Sequence, residues 1–201
     1  VTSVNFPSTT WNGSAWSNGL PNATTRAVFN GNYNSSADVS LVGTVLNACS
    51  VLVQSGNITF TAGYTLNVEN TVNVTAGSLI FENNASLVQP NDVVNLPGAT
   101  DGGNVGNITY RRTTTPMVFY DYTYWSSPVS PQTLVALSPQ TLFDKYFIFN
   151  QVTNYWQSVP SNSLMDAGKG YIIRAPQNQV NGTVYNGTFF GRPNSGNITT
   201  P

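Results

Sequence analysis

The stretch Ser50-Val51-Leu52-Val53-Gln54-Ser55-Gly56, followed by Ile58-Thr59-Phe60-Thr61-Ala62-Gly63 and then by Val72-Asn73-Val74-Thr75-Ala76-Gly77, decides the fold class. Each run is short, rich in β-branched or aromatic residues and stopped by glycine, the pattern of strands joined by tight turns. Thr65-Leu66-Asn67-Val68 and Leu79-Ile80-Phe81 extend it, and each is again followed by a turn. The three stops, Gln54-Ser55-Gly56, Thr61-Ala62-Gly63 and Thr75-Ala76-Gly77, recur at spacings of seven and fourteen residues. Strand and turn laid down at such intervals predict a β-solenoid, whose coils stack to bury a shared core. An antiparallel meander with the same strand lengths is the alternative. On the solenoid reading Leu52, Ile58, Leu66, Val72, Val74 and Ile80 form a continuous apolar interior.

Helical periodicity is nearly absent along the rest of the chain, so the fold class is all-β. Residues 89 to 107 change character: Pro90-Asn91-Asp92, Leu96-Pro97-Gly98 and Asp101-Gly102-Gly103-Asn104 carry turn residues and little apolar periodicity. The expected organisation is a short β-solenoid-like part over residues 1–90, a linker or loop over 91–107, and an antiparallel β-sandwich over 108–201, truncated at its C-terminal end. Beyond the loop the strands are longer and more aromatic, as in Val118-Phe119-Tyr120-Asp121-Tyr122-Thr123-Tyr124-Trp125 and Lys145-Tyr146-Phe147-Ile148-Phe149. The second of these reads on through Asn150-Gln151-Val152-Thr153-Asn154 into Tyr155-Trp156-Gln157-Ser158-Val159 as a hairpin. Two packed sheets are the economical arrangement for such strands. Thr183 to Phe190 is the stretch expected nearest an open edge.

Composition narrows the function classes. Only 7% of the 201 residues are charged, against roughly 25% in an ordinary soluble domain, and there is no histidine. Asparagine, threonine, serine and glycine supply the polar surface instead; asparagine alone occurs 26 times. The usual acids, bases and metal ligands are scarce, so the chain does not read as an enzyme. A net charge of −1, with Arg111-Arg112 the only adjacent basic pair, excludes an electrostatic case for nucleic acid. No run of 18 apolar residues occurs, so no membrane insertion is expected. Cys49, the single cysteine, reads as a small buried hydrophobe.

Three groups of residues stand out as candidate sites. Tyr120, Tyr122 and Tyr124 alternate along one strand and so share a face, and with Trp125 and Trp156 they form a candidate carbohydrate-binding surface. Exposed aromatic rings flanked by Asn, Gln and Asp stack on sugars and hydrogen-bond their hydroxyls, while the opposing reading buries the row against a second sheet. Asp92, Asp101 and Asn104 share a Gly-rich loop and offer oxygen ligands for calcium; a plain surface loop is the other reading. Asp121, Asp144 and Asp166 would have to converge to make the acid pair of a glycosidase. Gly168-Lys169-Gly170-Tyr171 lacks phosphate-loop spacing and reads as a turn. Ten Asn-x-Ser/Thr sequons occur, at Asn12, Asn22, Asn34, Asn57, Asn73, Asn84, Asn107, Asn181, Asn186 and Asn197.

Several blocks carry a resemblance. Thr10-Trp11-Asn12-Gly13-Ser14-Ala15-Trp16-Ser17-Asn18-Gly19-Leu20-Pro21, Arg111-Arg112-Thr113-Thr114-Thr115-Pro116-Met117, Tyr120-Asp121-Tyr122-Thr123-Tyr124-Trp125-Ser126-Ser127-Pro128-Val129 and Met165-Asp166-Ala167-Gly168-Lys169-Gly170-Tyr171-Ile172-Ile173-Arg174-Ala175-Pro176 follow one another in order. They resemble the repetitive cell-surface and secreted proteins of flavobacteria and other Bacteroidota that leave through the type IX secretion system, gliding-motility adhesins among them. The resemblance implies an extracellular, cell-surface module of a longer protein, since such relatives continue past the equivalent of Pro201; it brings no catalytic or binding residue set with it. The expectation is a non-enzymatic structural or adhesive module acting by display and by contact with polysaccharide, cell-surface material, neighbouring copies or downstream domains. No cofactor is expected, calcium aside. A carbohydrate-binding module using the exposed Tyr and Trp residues is the alternative, and a glycan-active enzyme the third reading.

Overall fold

The computed structural model describes residues 7–91 and 103–198. Among them are seventeen strands and a single four-residue helix, α1, Leu134–Leu137. The chain divides into two compact units, residues up to Tyr110 together with Arg192–Asn197, and Arg111–Gly191 with the residues from Ile198 on. The division thus falls within a strand, later than the loop where composition changes.

The first unit is a parallel β-solenoid. β1 (Ser8–Trp11) leads into three coils, each built of three short strands: β2 (Arg26–Asn30), β3 (Tyr33–Asn34) and β4 (Val45–Ala48); β5 (Ser50–Ser55), β6 (Asn57–Phe60) and β7 (Thr65–Val68); β8 (Val72–Val74), β9 (Ser78–Phe81) and β10 (Ser86–Val88). Corresponding strands pair in parallel into three sheets, β1-β2-β5-β8, β3-β6-β9 and β4-β7-β10, and the start of β11 (Ile108–Thr113) adds to β9. The meander alternative is thereby excluded. Ile58 pairs with Leu79 and Leu66 with Leu87, which sets a coil of 21 residues. The seven- and fourteen-residue spacings are its two parts.

Stacking puts like on like. Phe60, Phe81 and Tyr110 form a column of rings with centroids 5.3 and 5.1 Å apart and nearly parallel planes. Leu46, Leu66, Val51, Val72, Ile58 and Leu79 are all buried around it. Val74 is half-buried; Ile58, Leu66 and Val72 take the interior positions expected of them, whereas Leu52 and Ile80 do not. Their neighbours Val51, Val53, Leu79 and Phe81 face inward instead, because every residue of those two runs is apolar and the runs themselves carry no alternation to set the phase.

Corners follow from residue chemistry. Gly56 and Gly77 hold φ of 86° and 80°, and Gly63 and Asn84, also one coil apart, hold φ of 85° and 65° at the next corner. Three of the sequons close other turns: Asn12 Oδ1 accepts from Ser14 N and Oγ, Asn22 Oδ1 from Thr24 N and Oγ1, and Asn34 Oδ1 from Ser36 N and Oγ. In these places the Asn-x-Ser/Thr pattern acts as a turn device in which the side chain stands in for backbone.

The N-terminal end of the solenoid is closed by Trp11 and Trp16, packed edge-on against Tyr33 and Phe29. The free edge of β1 is answered locally, since Thr10 O accepts from Ser17 N at 2.9 Å and Thr10 N donates to Ser17 Oγ at 3.0 Å. Trp16 Nε1 donates to the buried Asp38 Oδ2 at 2.9 Å, and Ser40 donates to Asp38 Oδ1 through both N and Oγ. Burial alone would raise the Asp38 pKa, but the hydrogen bonds from Ser40 and Trp16 together outweigh it and hold the carboxyl below its ordinary value. A depressed folded pKa contributes stability that is complete above the unfolded value of about 3.9 and is lost as the pH falls below it. The wild type is therefore expected to show an acid limb in its stability below about pH 4, flattened in Asp38→Ala. That variant also strands the Trp16 indole N–H at neutral pH, at a cost of about 1–3 kcal/mol in chemical unfolding.

The second unit contains two sheets. Three antiparallel pairings join β12 (Tyr122–Trp125), β14 (Tyr146–Asn150), β15 (Tyr155–Ser158) and β16 (Tyr171–Arg174) in the order β12-β16-β14-β15. The other sheet holds β13 (Val129–Ser130) and β17 (Asn186–Pro193). β17 lies between β13 and β11, and Phe189 is buried, so Thr183 to Phe190 is not the open edge expected of it; in the four-stranded sheet the edges are β12 and β15. The inner face of the four-stranded sheet presents Trp125, Tyr146, Tyr171 and Ile173, all buried. Trp125 packs on Phe189 and Tyr185 and on the bare backbone of Gly187, where an added Cβ would come within 2.8 Å of the indole. α1 carries Leu134 and Leu137 into the same core, and its first turn is capped by Thr133.

Candidate functional site: an exposed aromatic face

Strand alternation fixes what the outer face of the four-stranded sheet displays. The register pairs Tyr124 with Ile172, Ile172 with Phe147, Tyr122 with Arg174 and Phe149 with Trp156, and paired residues share a face. Tyr122, Tyr124, Phe147, Phe149 and Trp156 therefore project together, opposite to the buried Trp125 and Tyr146. Tyr124 is 74% exposed, Phe149 44% and Trp156 42%. Their rings gather rather than scatter: Phe149 and Trp156 meet at 5.2 Å, Tyr124 and Trp156 at 6.1 Å, and Tyr122 and Phe147 at 5.9 Å between centroids. Exposed large rings held in one apolar patch mark an interaction surface.

Beside these rings lies an open groove of about 770 Å³. Tyr124, Phe149, Trp156, Gly168, Lys169 and Gly170 line it together with Ile148, Asn150, Gln151 and Gln157, and the register that pairs Ile148 with Gln157 and Asn150 with Tyr155 sends those side chains to the side of the hairpin opposite to Phe149 and Trp156. Asn150 Nδ2 donates to Gln157 Oε1 at 3.3 Å, which leaves the Gln157 amide N–H groups as donors. Lys169 is the single charged lining residue, and its ammonium sits 3.3 Å from the Asp166 carboxylate. The aromatic face is apolar, and the groove lining is close to neutral.

Of the residues expected to bind sugar, the structure brings Tyr122, Tyr124 and Trp156 onto this face. Tyr120 precedes the strand and lies apart from the groove lining; it is 73% exposed, with its ring against Phe119 and 5.8 Å from the buried Arg174 guanidinium. Trp125 is a correction: one residue beyond Tyr124, it points to the opposite face and is core, only 8% exposed. Phe147, Phe149, Gln157 and Gly170 were missed. The signal for the first two lay in the hairpin, since closing its loop on Asn150 and Tyr155 sets Phe149 opposite Trp156.

The calcium candidates divide differently. Asp92 and Asp101 lie outside the described residues. Asn104 is buried and closes the last coil: its Oδ1 accepts from Val72 N at 2.8 Å and Gln89 Nε2 at 2.9 Å, while its Nδ2 donates to Gln89 Oε1 at 2.9 Å and Pro193 O at 3.0 Å. Both acceptor directions of that amide are taken by N–H donors, so Asn104 acts as the partner that β8 would otherwise find in a next coil. The three scattered aspartates each serve a local contact. Asp121 accepts from Val118 N at 2.8 Å, Asp144 from Lys145 Nζ at 2.6 Å, and Asp166 from Lys169. The Lys145 hydrogen bond holds the Asp144 carboxyl below its ordinary range.

Comparison with curated proteins and with solved structures gives no match. One family model matches residues 5–201, nearly the whole sequence, under the description domain of unknown function (DUF8693). The described strands of the solenoid and of the aromatic-faced sheet thus fall inside the matched span, and the chain belongs to that family, DUF8693.

Proposed function

We propose that this chain is a non-enzymatic adhesive module of the cell exterior that holds polysaccharide against the outer face of its four-stranded sheet. The observation that carries this reading is the co-facial exposure of Tyr122, Tyr124, Phe149 and Trp156, with the half-buried Phe147 among them, beside an open groove of near-neutral lining. Sugar rings present flat C–H faces that stack on aromatic rings, and the Tyr122 and Tyr124 hydroxyls can hydrogen-bond those of a saccharide. The charge-poor composition and the type IX secretion resemblance support an extracellular setting. The groove lining carries no carboxylate, and Asp166, the partner of its one cation, is engaged by Lys169, which supports binding without chemistry on the glycan.

The test is affinity electrophoresis and pull-down against a panel of soluble and insoluble polysaccharides. Wild type is expected to be retarded or retained by at least one of them. Trp156→Ala removes a central aromatic anchor and is expected to weaken binding by about 30-fold, or about 2 kcal/mol. No retention on any polysaccharide, or retention indifferent to both Trp156→Ala and Tyr124→Ala, would sink the proposal.

A further inference from the structure

Most glycines with special roles here explain themselves. Gly56 and Gly77 have positive φ and no room for a Cβ, Gly187 lies under the Trp125 ring, and Gly168 takes φ of 75° in its turn. Gly170 fits neither explanation. Its φ lies outside the left-handed region, and a Cβ built on it would meet no heavy atom within 4 Å. Neither backbone conformation nor packing demands a glycine at this position.

What the bare residue does is leave space. Gly170 borders the groove together with Tyr124, Phe149 and Trp156. Phe147 pairs with Ile172, so two residues further along these antiparallel strands Phe149 advances toward Gly170, whose missing side chain leaves a gap in the aromatic row. Tyr124 and Trp156 approach each other within 6.1 Å. Any larger residue at Gly170 would project into that opening.

Charge sets the class of occupant. The lone cation of the lining, Lys169, is neutralised by Asp166, no carboxylate lines the groove, and the remaining polar groups are the amides of Asn150, Gln151 and Gln157. Such a lining offers little unpaired charge to offset the desolvation of a charged ligand, but it suits one rich in hydroxyls. We infer that the groove takes an uncharged glycan, with one sugar ring seated over Gly170, and that Gly170 is the residue that sets the room for it; this rests on the carbohydrate-binding reading above.

The experiment compares wild type, Gly170→Val, Gly170→Ala and Trp156→Ala for binding to a panel of neutral glucans, mannans and chitin fragments and to polygalacturonate, with melting temperature followed in parallel. Gly170→Val is expected to weaken binding to the preferred neutral glycan at least tenfold, with a melting temperature close to that of wild type. Gly170→Ala is expected to weaken it less, and it decides the matter if the valine variant unfolds, since the smaller side chain enters open space. Neutral-glycan binding that Trp156→Ala abolishes but both Gly170 variants leave unchanged would overturn this inference and spare the carbohydrate reading. Preference for polygalacturonate would overturn the uncharged class, and a wild type that binds no glycan would overturn both readings.

Discussion

Gly56→Ala is expected to destabilise the solenoid by about 2–5 kcal/mol, a large share of the 5–15 kcal/mol typical of a folded domain. Two costs add. An L-residue forced to the left-handed φ of 86° loses about 1–2 kcal/mol. The new Cβ would also lie 2.4 Å from Gly31 C and 2.7 Å from Asn32 N, backbone atoms of the preceding coil that cannot swing away, and overpacking of that kind costs about 1–3 kcal/mol. Gly63→Ala is the control, because Gly63 has nearly the same φ, 85°, with nothing within 4 Å of its Cβ position. It is expected to lose only the backbone part, about 1–2 kcal/mol. Urea unfolding separates the two variants, and equal midpoints would show that close coil-to-coil approach at Gly56 is not what requires glycine there.

That contrast also shows what the sequence disclosed. Gly56, Gly63 and Gly77 are visible as punctuation, and the two intervals between them make up the 21-residue coil, so the solenoid could be read without coordinates. The facing of individual side chains could not be read everywhere. Val51-Leu52-Val53 and Leu79-Ile80-Phe81 are apolar throughout, and only the pairing with neighbouring coils decides that Leu52 and Ile80 turn outward. The end closures were hidden for a different reason. The Trp16–Asp38 hydrogen bond spans 22 residues and the Asn104–Pro193 one 89, and no local pattern reports partners so distant. Asn104 consequently looked like a loop oxygen ligand when it is a buried cap.

The aromatic face was half legible. Tyr122 and Tyr124 share a face by alternation alone, and the same rule sends Trp125 to the core, so its inclusion in the site set aside a constraint that the sequence already contained. Phe147 and Phe149 required the hairpin register, which the Asn150 to Asn154 turn supplies. Gly170 had no sequence signal. A glycine beside Gly168 and Lys169 reads as part of a turn, and only the empty space above it shows that the turn does not need it.

Phe81→Ala is expected to cost about 3–5 kcal/mol, whereas Phe149→Ala on the aromatic face should stay within about 1 kcal/mol of wild type. Phe81 is fully buried, with Phe60 stacked on one side at 5.3 Å and Tyr110 on the other at 5.1 Å. Truncation there opens a cavity that coils in fixed hydrogen-bonded register cannot collapse to fill. Tyr110 adds to the expected loss because its hydroxyl accepts from Leu87 N at 3.0 Å and donates to Ala85 O at 3.2 Å, so a ring displaced toward the cavity would break both hydrogen bonds. Phe149 touches Trp156 on a surface already open to water, and its removal exposes little that was dry. The comparison separates rings retained for the fold from rings retained for a partner. A Phe149→Ala variant as destabilised as Phe81→Ala in urea would mean that the outer rings hold the sheet together, and the argument for a ligand on that face would lose its basis.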